Sequence, residues 1–302
     1  MDRREFLKMA GVSLVFVSGL PRLAGAAEKL GGKAGPGSHD FYFVQLSDPH
    51  WGFNNPKINP DPTGTLPKAI ELVNNLSIKP DFVVFTGDLT QTTDDDKERR
   101  KRMEEVKKTI VGQLKNKNIK YLPGEHDAAL DNGKAFHEIF GKSTYTFTHK
   151  GVHFIALDNV SDPGGALGDA QLQWLSQQLK KLKKDDRIVV LTHRPLFDLM
   201  PEWDWATRDG AKAIDLLMPY TNVIVFYGHI HQENHHNTDH IAHHSAHGLM
   251  WNLPAPGSVP KKVMIPWDEA APYKGLGFRS VEAQYAKPDY VITEYPINKT
   301  SG

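Results

Sequence analysis

The chain has 302 residues, of which 39% are hydrophobic and 24% are charged, and its formal net charge is zero. This length suffices for one large α/β domain with a full core, and the neutral charge argues against electrostatic binding to nucleic acid or to an anionic membrane. The chain contains no cysteine. Disulfides and thiolate ligands are therefore excluded, and any metal must be held by oxygen and nitrogen.

Residues 1–26 resemble a bacterial twin-arginine signal peptide. Two adjacent arginines and a Phe-Leu-Lys triplet precede an apolar stretch at residues 9–20, and small residues follow it. The apolar stretch is too short to span a bilayer stably. The resemblance implies cleavage near Ala26 and export of the folded protein, as a periplasmic or secreted protein, by the twin-arginine machinery. The segment carries four Lys/Arg and two Asp/Glu, so the mature chain has a charge near −2. The competing interpretation is an amphipathic first helix of the fold.

The mature chain reads as one domain over residues 40–302, preceded by a flexible lead-in at residues 27–39 that is rich in Gly, Lys and Pro. Helical spacing of apolar residues predicts helices at 68–76, 94–116, 169–183 and 207–218. Short apolar runs predict strands at 41–46, 82–86, 119–122, 188–191, 223–227 and 291–295, with a hairpin formed by 145–147 and 152–157. The proline-rich residues 254–273 predict a loop near the mouth of an active site. The acidic run at 94–96 fits a helix start better than a calcium site.

Five short blocks of polar residues each follow one of the apolar runs. Loops at the ends of neighbouring strands of an α/β sheet converge on one crevice, so the blocks predict a cluster of carboxylates and imidazoles. Such a cluster is the ligand set of a metal site with two ions. Two ions about 3.5–4 Å apart supply both the nucleophile and the positive charge that phosphate-ester hydrolysis requires. The blocks are Asp48-Pro49-His50, Gly87-Asp88, Gly124-Glu125-His126-Asp127, Thr192-His193 and Gly228-His229-Ile230-His231.

The order of these blocks over residues 40–235 resembles that of the calcineurin-like metallophosphoesterase superfamily. The resemblance implies a four-layer α/β/β/α sandwich of two mixed sheets. It also implies two divalent or trivalent ions (Fe, Mn or Zn) and hydrolysis of a small phosphate mono- or diester by in-line attack of a metal-generated hydroxide. We expect no nucleic-acid partner, because no basic stripe is visible.

The resemblance also implies a role for each block residue. Asp48, His50 and His231 hold the first ion, and Asp88 bridges both ions. Together with Glu125, His193 and His229 hold the second ion. His126 contacts the phosphate or protonates the leaving oxygen, and Asp127 orients His126 through a hydrogen bond.

One position departs from the superfamily pattern, because Glu125 stands where the pattern has asparagine. Three interpretations remain open at this stage. The carboxylate ligates the second ion and favours a more highly charged metal. It ligates and lowers activity toward anionic substrates. Or it turns away and leaves the second site weak. Direct ligation is favoured, since carboxylates suit hard metals.

Other features support weaker hypotheses. Six histidines crowd residues 235–247, and His243 or His244 could contact substrate, although most of this cluster is expected to line a pocket or surface without binding metal. Aromatic residues at 51, 53, 203 and 205 could stack on a substrate, although ordinary loop packing is favoured. Glu125 and the histidine cluster also motivate a rival hypothesis, a metal-binding protein with little or no catalytic activity.

Overall fold

A computed structural model describes residues 41–283 and 290–297, together with the backbone of Leu14–Val17. Its strands form two six-stranded mixed sheets. The strands are β1 (Leu14–Val17), β2 (Phe41–Leu46), β3 (Phe82–Thr86), β4 (Ile119–Leu122), β5 (Tyr145–His149), β6 (Val152–Ala156), β7 (Arg187–Leu191), β8 (Asn222–Tyr227), β9 (Asn234–Thr238), β10 (Ile241–Ser245), β11 (Gly277–Ala283) and β12 (Tyr290–Pro296).

The first sheet has the order β1-β12-β11-β2-β3-β4, and the second has the order β5-β6-β7-β8-β10-β9. The central strands of each sheet are parallel: β2, β3 and β4 in one, and β6, β7, β8 and β10 in the other. The helices are α1 (Thr65–Asn74), α2 (Asp96–Gln113), α3 (Glu125–Ala128), α4 (Lys134–Phe140), α5 (Gly168–Leu179) and α6 (Gly210–Leu217), with a short 3-10 turn at Pro201–Trp203.

The two sheets pack face to face through an apolar layer that both contribute. Phe43 of β2 meets Phe154 of β6 and Phe226 of β8 edge-on, with ring centroids 5.8 and 5.6 Å apart. A second buried cluster joins the first sheet to α1, α2 and α4, and a third joins the second sheet to α5 and α6. Four layers result, in the order helix, sheet, sheet, helix, as the resemblance implies.

The predicted strands agree closely with the structure. Three of them have the predicted bounds, and β7 and β8 each begin one residue earlier than predicted. The Asp95 side chain accepts hydrogen bonds from the backbone N–H groups of Lys97 and Glu98, which explains the helix start at the acidic run. The elements α3, α4, β9 and β11 were not predicted, and residues 254–273 contain no regular element, as expected.

The predicted signal peptide and lead-in lie outside the described residues, except for Leu14–Val17. The backbone of this short segment pairs antiparallel with β12 at the edge of the first sheet. Signal peptide and domain bounds therefore stay predictions. Within the described part of the chain, no helix combines the length and hydropathy needed to cross a bilayer.

Candidate metal centre

All five polar blocks follow the carboxyl ends of β2, β3, β4, β7 and β8, four of them in loops and one at the start of α3. Backbone hydrogen bonds tie these loops to one another. The Asp48 N–H donates to the Gly87 carbonyl at 3.0 Å, and the His50 N–H donates to the Asp88 carbonyl at 2.9 Å. Across the two sheets, the Asp48 carboxylate accepts from the His229 N–H at 3.2 Å. The convergence predicted from strand order is thus present in the structure.

The backbone of the clustered residues is strained. Five of the seven predicted ligands have a positive φ, the left-handed region that side chains other than glycine rarely adopt. Each such residue costs on the order of 1–3 kcal/mol and persists only where the surroundings enforce it, often at functional sites. The five are Asp48 (φ 56°), His50 (φ 41°), Asp88 (φ 49°), His229 (φ 66°) and His231 (φ 54°).

The predicted ligands of the first ion form one buried group of Asp48, His50, Asp88 and His231, whose candidate ligand atoms all lie within 4.8 Å of one another. The Nε2 atoms of His50 and His231 are 3.1 Å apart. His50 Nε2 lies 3.4 Å from Asp88 Oδ2, and His231 Nε2 lies 3.5 Å from Asp48 Oδ1. One nitrogen of each imidazole and one oxygen of each carboxylate therefore face a common point.

A second group contains Asp88, Glu125, His193 and His229, and it shares Asp88 with the first. His193 Nε2 lies 2.9 Å from Glu125 Oε2 and 3.4 Å from Asp88 Oδ2. His229 Nδ1 lies 2.8 Å from Glu125 Oε1. The Glu125 carboxylate thus points into this group, and the interpretation in which it turns away does not match the geometry.

Both groups fit metal ions. An ion bound at about 2.0–2.2 Å holds neighbouring ligand atoms roughly 2.8–3.6 Å apart, depending on its coordination number. The distances given above, 3.1–3.5 Å in the first group and 2.8–3.4 Å in the second, lie in this range. Asp48 and Asp88 are buried, and within the described residues their ion-pair partners are imidazoles only. Two buried carboxylates that face one point favour a bound cation.

Burial and neighbouring charges shift the pKa values of the candidate ligands. Burial raises the pKa of Asp48 well above its usual range, and burial lowers the pKa of His231 to about 3. Burial also opposes ionisation of Glu125, but the neighbouring His229 and His193 outweigh it and hold the pKa of Glu125 well below normal. Burial lowers the pKa of His193, but Asp88 and Glu125 raise it further than burial lowers it. The cluster thus favours an ionised Glu125.

Backbone carbonyls behind three imidazoles fix which nitrogen faces the cluster. The Nδ1 atom of His193 lies 2.6 Å from the Thr86 carbonyl oxygen, and that of His231 lies 2.9 Å from the Trp251 carbonyl oxygen. A proton donated to the carbonyl leaves the Nε2 lone pair free for a metal. His229 is reversed, because its Nε2 faces the Asp204 carbonyl at 3.1 Å and its Nδ1 faces the cluster.

The predicted contact between Asp127 and His126 is wrong. The Asp127 carboxylate accepts hydrogen bonds from the N–H groups of Gly124, Leu89 and Thr90, at 2.8–2.9 Å, and from the Thr90 hydroxyl at 2.8 Å. It therefore fastens two site loops together. None of the hydrogen bonds found for this carboxylate among the described residues involves the His126 ring.

Thr92 holds the His126 ring instead. The Thr92 hydroxyl lies 2.6 Å from His126 Nδ1, and the ring meets the His50 ring edge-on with centroids 4.7 Å apart. The backbone N–H of His126 donates to Asp88 Oδ1 at 2.9 Å. The His126 ring therefore lies directly beside the first group, and its backbone supports Asp88, the carboxylate that both groups share.

Glycines let these loops approach closely. A Cβ atom at Gly87 would lie 2.2 Å from the His193 ring, and one at Gly228 would lie 2.0 Å from the Ser47 hydroxyl. A Cβ atom at Gly124 would lie 2.0 Å from Asp88 Oδ1. The close approach expected from Gly87 and Gly228 is therefore real, and the contribution of Gly124 was not foreseen.

The weaker hypotheses fare differently. His243 and His244 are buried in β10, and neither belongs to the metal-ligand groups found among the described residues, so a substrate contact by either stays a prediction. Trp203 and Trp205 are also buried and pack on each other, which is ordinary loop packing. Trp251 was not predicted, and its ring stacks on His231 with centroids 4.7 Å apart.

Fold and site define the class of the protein as a phosphoesterase with a two-ion centre. The chain belongs to the calcineurin-like phosphoesterase family, whose model matches residues 41–233, well over half of the chain. It is accordingly a metal-dependent phosphoric ester hydrolase.

Among curated proteins, the chain is similar to the serine/threonine-protein phosphatase CPPED1 of Rattus norvegicus, with 25% identity over 64% of this chain and 70% of the relative. It is also similar to the probable glycerophosphodiester phosphodiesterase GpdQ of Arcobacter nitrofigilis, with 28% identity over 63% of this chain and 71% of the relative. A solved dimetal phosphatase from Danio rerio shares the fold, with TM-score 0.56 and 13% identity over 86% of this chain and 97% of that one.

Proposed function

We propose that this protein is an exported phosphoesterase that hydrolyses small phosphate mono- or diesters at a two-ion centre. The observation that carries the proposal is the pair of ligand groups that share one carboxylate. Both substrate classes occur among the relatives, since one is named a phosphatase and another a phosphodiesterase.

In this proposal each residue has a defined task. Bound ions supply a nucleophile at neutral pH and positive charge that meets the phosphate. Asp48, His50 and His231 hold the first ion and Asp88 lies between both. His193, His229 and Glu125 complete the second set, and the two short contacts of Glu125 with those imidazoles support direct ligation over a side chain that turns away.

His126 is the proposed proton donor or phosphate contact. Thr92 fixes its Nδ1 atom, which leaves Nε2 for the substrate oxygen. The ring stands beside His50 at the edge of the first group, so a leaving oxygen between the ions and His126 can accept a proton there. Asp127 contributes indirectly, because it ties the His126 loop to the Asp88 loop.

Hydrolysis of p-nitrophenyl phosphate and of its bis-ester, measured with Fe, Mn and Zn alongside elemental analysis, tests the proposal. We expect turnover of at least one ester at two ions per chain. His126→Ala should lower kcat by about 10²–10⁴-fold without loss of metal. The matched control is His153→Ala, because the His153 side chain is partly exposed and contacts Thr148 on the hairpin. Tight metal binding without turnover at any ion would favour the rival metal-binding function.

Export is proposed on the sequence pattern of residues 1–26. The expected mature protein begins near Ala27. N-terminal sequencing of protein recovered from the periplasm tests this, with a variant in which both adjacent arginines are replaced by lysine as the comparison. An intact Met1 in the periplasmic protein, or unchanged export of the lysine variant, would count against twin-arginine export.

A further inference from the structure

The charge of the cluster bears on which phosphate ester it accepts. The two ligand groups comprise seven side chains, of which three are carboxylates and four are imidazoles. If the imidazoles bind as neutral ligands, two divalent ions with three carboxylates leave a net charge of about +1. Such a centre complements a single negative charge better than two.

Glu125 is the carboxylate of the three that an incoming anion meets. Its side chain is 28% exposed, whereas those of Asp48 and Asp88 are 0% and 2% exposed. It lies between His193 and His229, on the open side of the second group. The other two carboxylates are buried.

The basic residue that follows the ligand His193 is already paired with an acidic side chain. Arg194 directly follows the ligand His193, but its guanidinium is almost fully buried and donates to both the backbone carbonyl and the carboxylate of Asp204. That same carbonyl faces His229 Nε2. Arg194 therefore holds the loop behind the second group and is paired with an acidic side chain.

Resting on the proposed phosphoesterase function, we propose that Glu125 makes this centre select phosphodiester monoanions over phosphomonoester dianions. Above pH 7 a phosphomonoester carries close to two negative charges, and a diester carries one. The second charge of the monoester is repelled by Glu125. One unit charge about 4 Å away changes binding by about fivefold in bulk water and by several hundredfold at the effective dielectric of a protein surface, and for this partly exposed carboxylate we expect a value between these limits, about 10- to 100-fold.

The test uses the purified protein in excess Mn²⁺ at pH 8, with metal content measured in every variant. Bis(p-nitrophenyl) phosphate and p-nitrophenyl phosphate share a leaving group, so the ratio of their kcat/KM values reports the charge preference. We expect wild type to favour the diester, and Glu125→Gln to shift the ratio toward the monoester by about 10- to 100-fold. The matched control Glu125→Asp keeps the charge and should keep the diester preference.

A binding measurement provides a readout that does not depend on turnover. Calorimetry compares inorganic phosphate, a dianion at this pH, with dimethyl phosphate, a monoanion. Glu125→Gln should tighten phosphate binding by about 10-fold or more and dimethyl phosphate binding by clearly less. An unchanged ester ratio, or equal shifts in the Gln and Asp variants, would overturn the inference while leaving the phosphoesterase function in place. Absence of turnover by wild type with any ion would instead refute the proposed function, and the calorimetry would still report the charge effect.

Discussion

Gly124→Ala is the smallest change that should disturb both ion sites at once. The new Cβ atom would lie 2.0 Å from Asp88 Oδ1 and 2.2 Å from the Asp88 backbone nitrogen. Because φ of Gly124 is −106°, alanine fits the backbone and the effect is purely steric. Ordinary contacts begin near 3.5 Å, so Asp88 and the Gly124 loop must separate by roughly 1 Å or more.

The cost has two parts. Overpacking a buried site of this kind destabilises a protein by about 1–3 kcal/mol. A displaced Asp88 also loses its place between the two groups, and disturbed ligand positioning typically costs about 10- to 100-fold in metal affinity. The second effect should appear at both ions, because Asp88 belongs to both groups.

The assay is a calorimetric Mn²⁺ titration together with thermal unfolding. Gly112→Ala is the matched control, since nothing lies within 4 Å of its added Cβ atom. Replacing this exposed helical glycine should leave metal binding unchanged and stabilise the fold by about 0.5–1 kcal/mol. If Gly124→Ala bound both ions with wild-type affinity, the argument that Asp88 is shared and closely confined would be refuted.

Four further results are expected. Asp127→Asn places an amide NH₂ against a site with four donors and should lower the free energy of unfolding by about 1–3 kcal/mol in urea titrations; an unchanged midpoint would contradict this. Thr92→Val should lower kcat about tenfold at constant metal content, with Thr92→Ser retaining activity; equal rates in both variants would remove Thr92 from the account. Arg279→Met leaves the buried Glu294 without its partner at 2.7 Å and should cost about 3–5 kcal/mol of stability, with little change in metal content. Chelation should lower Tm and added Mn²⁺ should raise it. When free metal is a hundredfold above Kd, the bound metal should stabilise the fold by about 2.7 kcal/mol. A Tm independent of metal would mean that the clusters do not bind it.

Much of the fold could be predicted because its central strands are parallel and buried on both faces. Continuous apolar runs such as Phe82–Thr86 predict buried parallel strands in an α/β chain of this length. Elements with weak sequence patterns were not predicted. Strand β9, Asn234–Thr238, is polar throughout and mostly exposed, and α3 is a single turn. Their structure depends on neighbours that a local pattern does not reveal.

At the site, the metal-ligating candidates were identified from the motifs and their grouping was implied by the family resemblance, but the supporting contacts were not predicted. Thr92 and Asp127 show why. Both carry small polar side chains that can reach several partners, and only the three-dimensional path of the Leu89–Thr92 loop decides which one bonds His126. Likewise, Trp251 and the Asp204 carbonyl reach the imidazoles from loops that are distant in sequence.

Anomalous diffraction from crystals grown with Mn²⁺ would test the central claim most directly. The account predicts two peaks about 3.5–4 Å apart, with an Asp88 oxygen in reach of both. One peak should be bound by Asp48, His50 and His231, and the other by Glu125, His193 and His229. A single peak, a second ion without Glu125 among its ligands, or peaks away from these residues would contradict it.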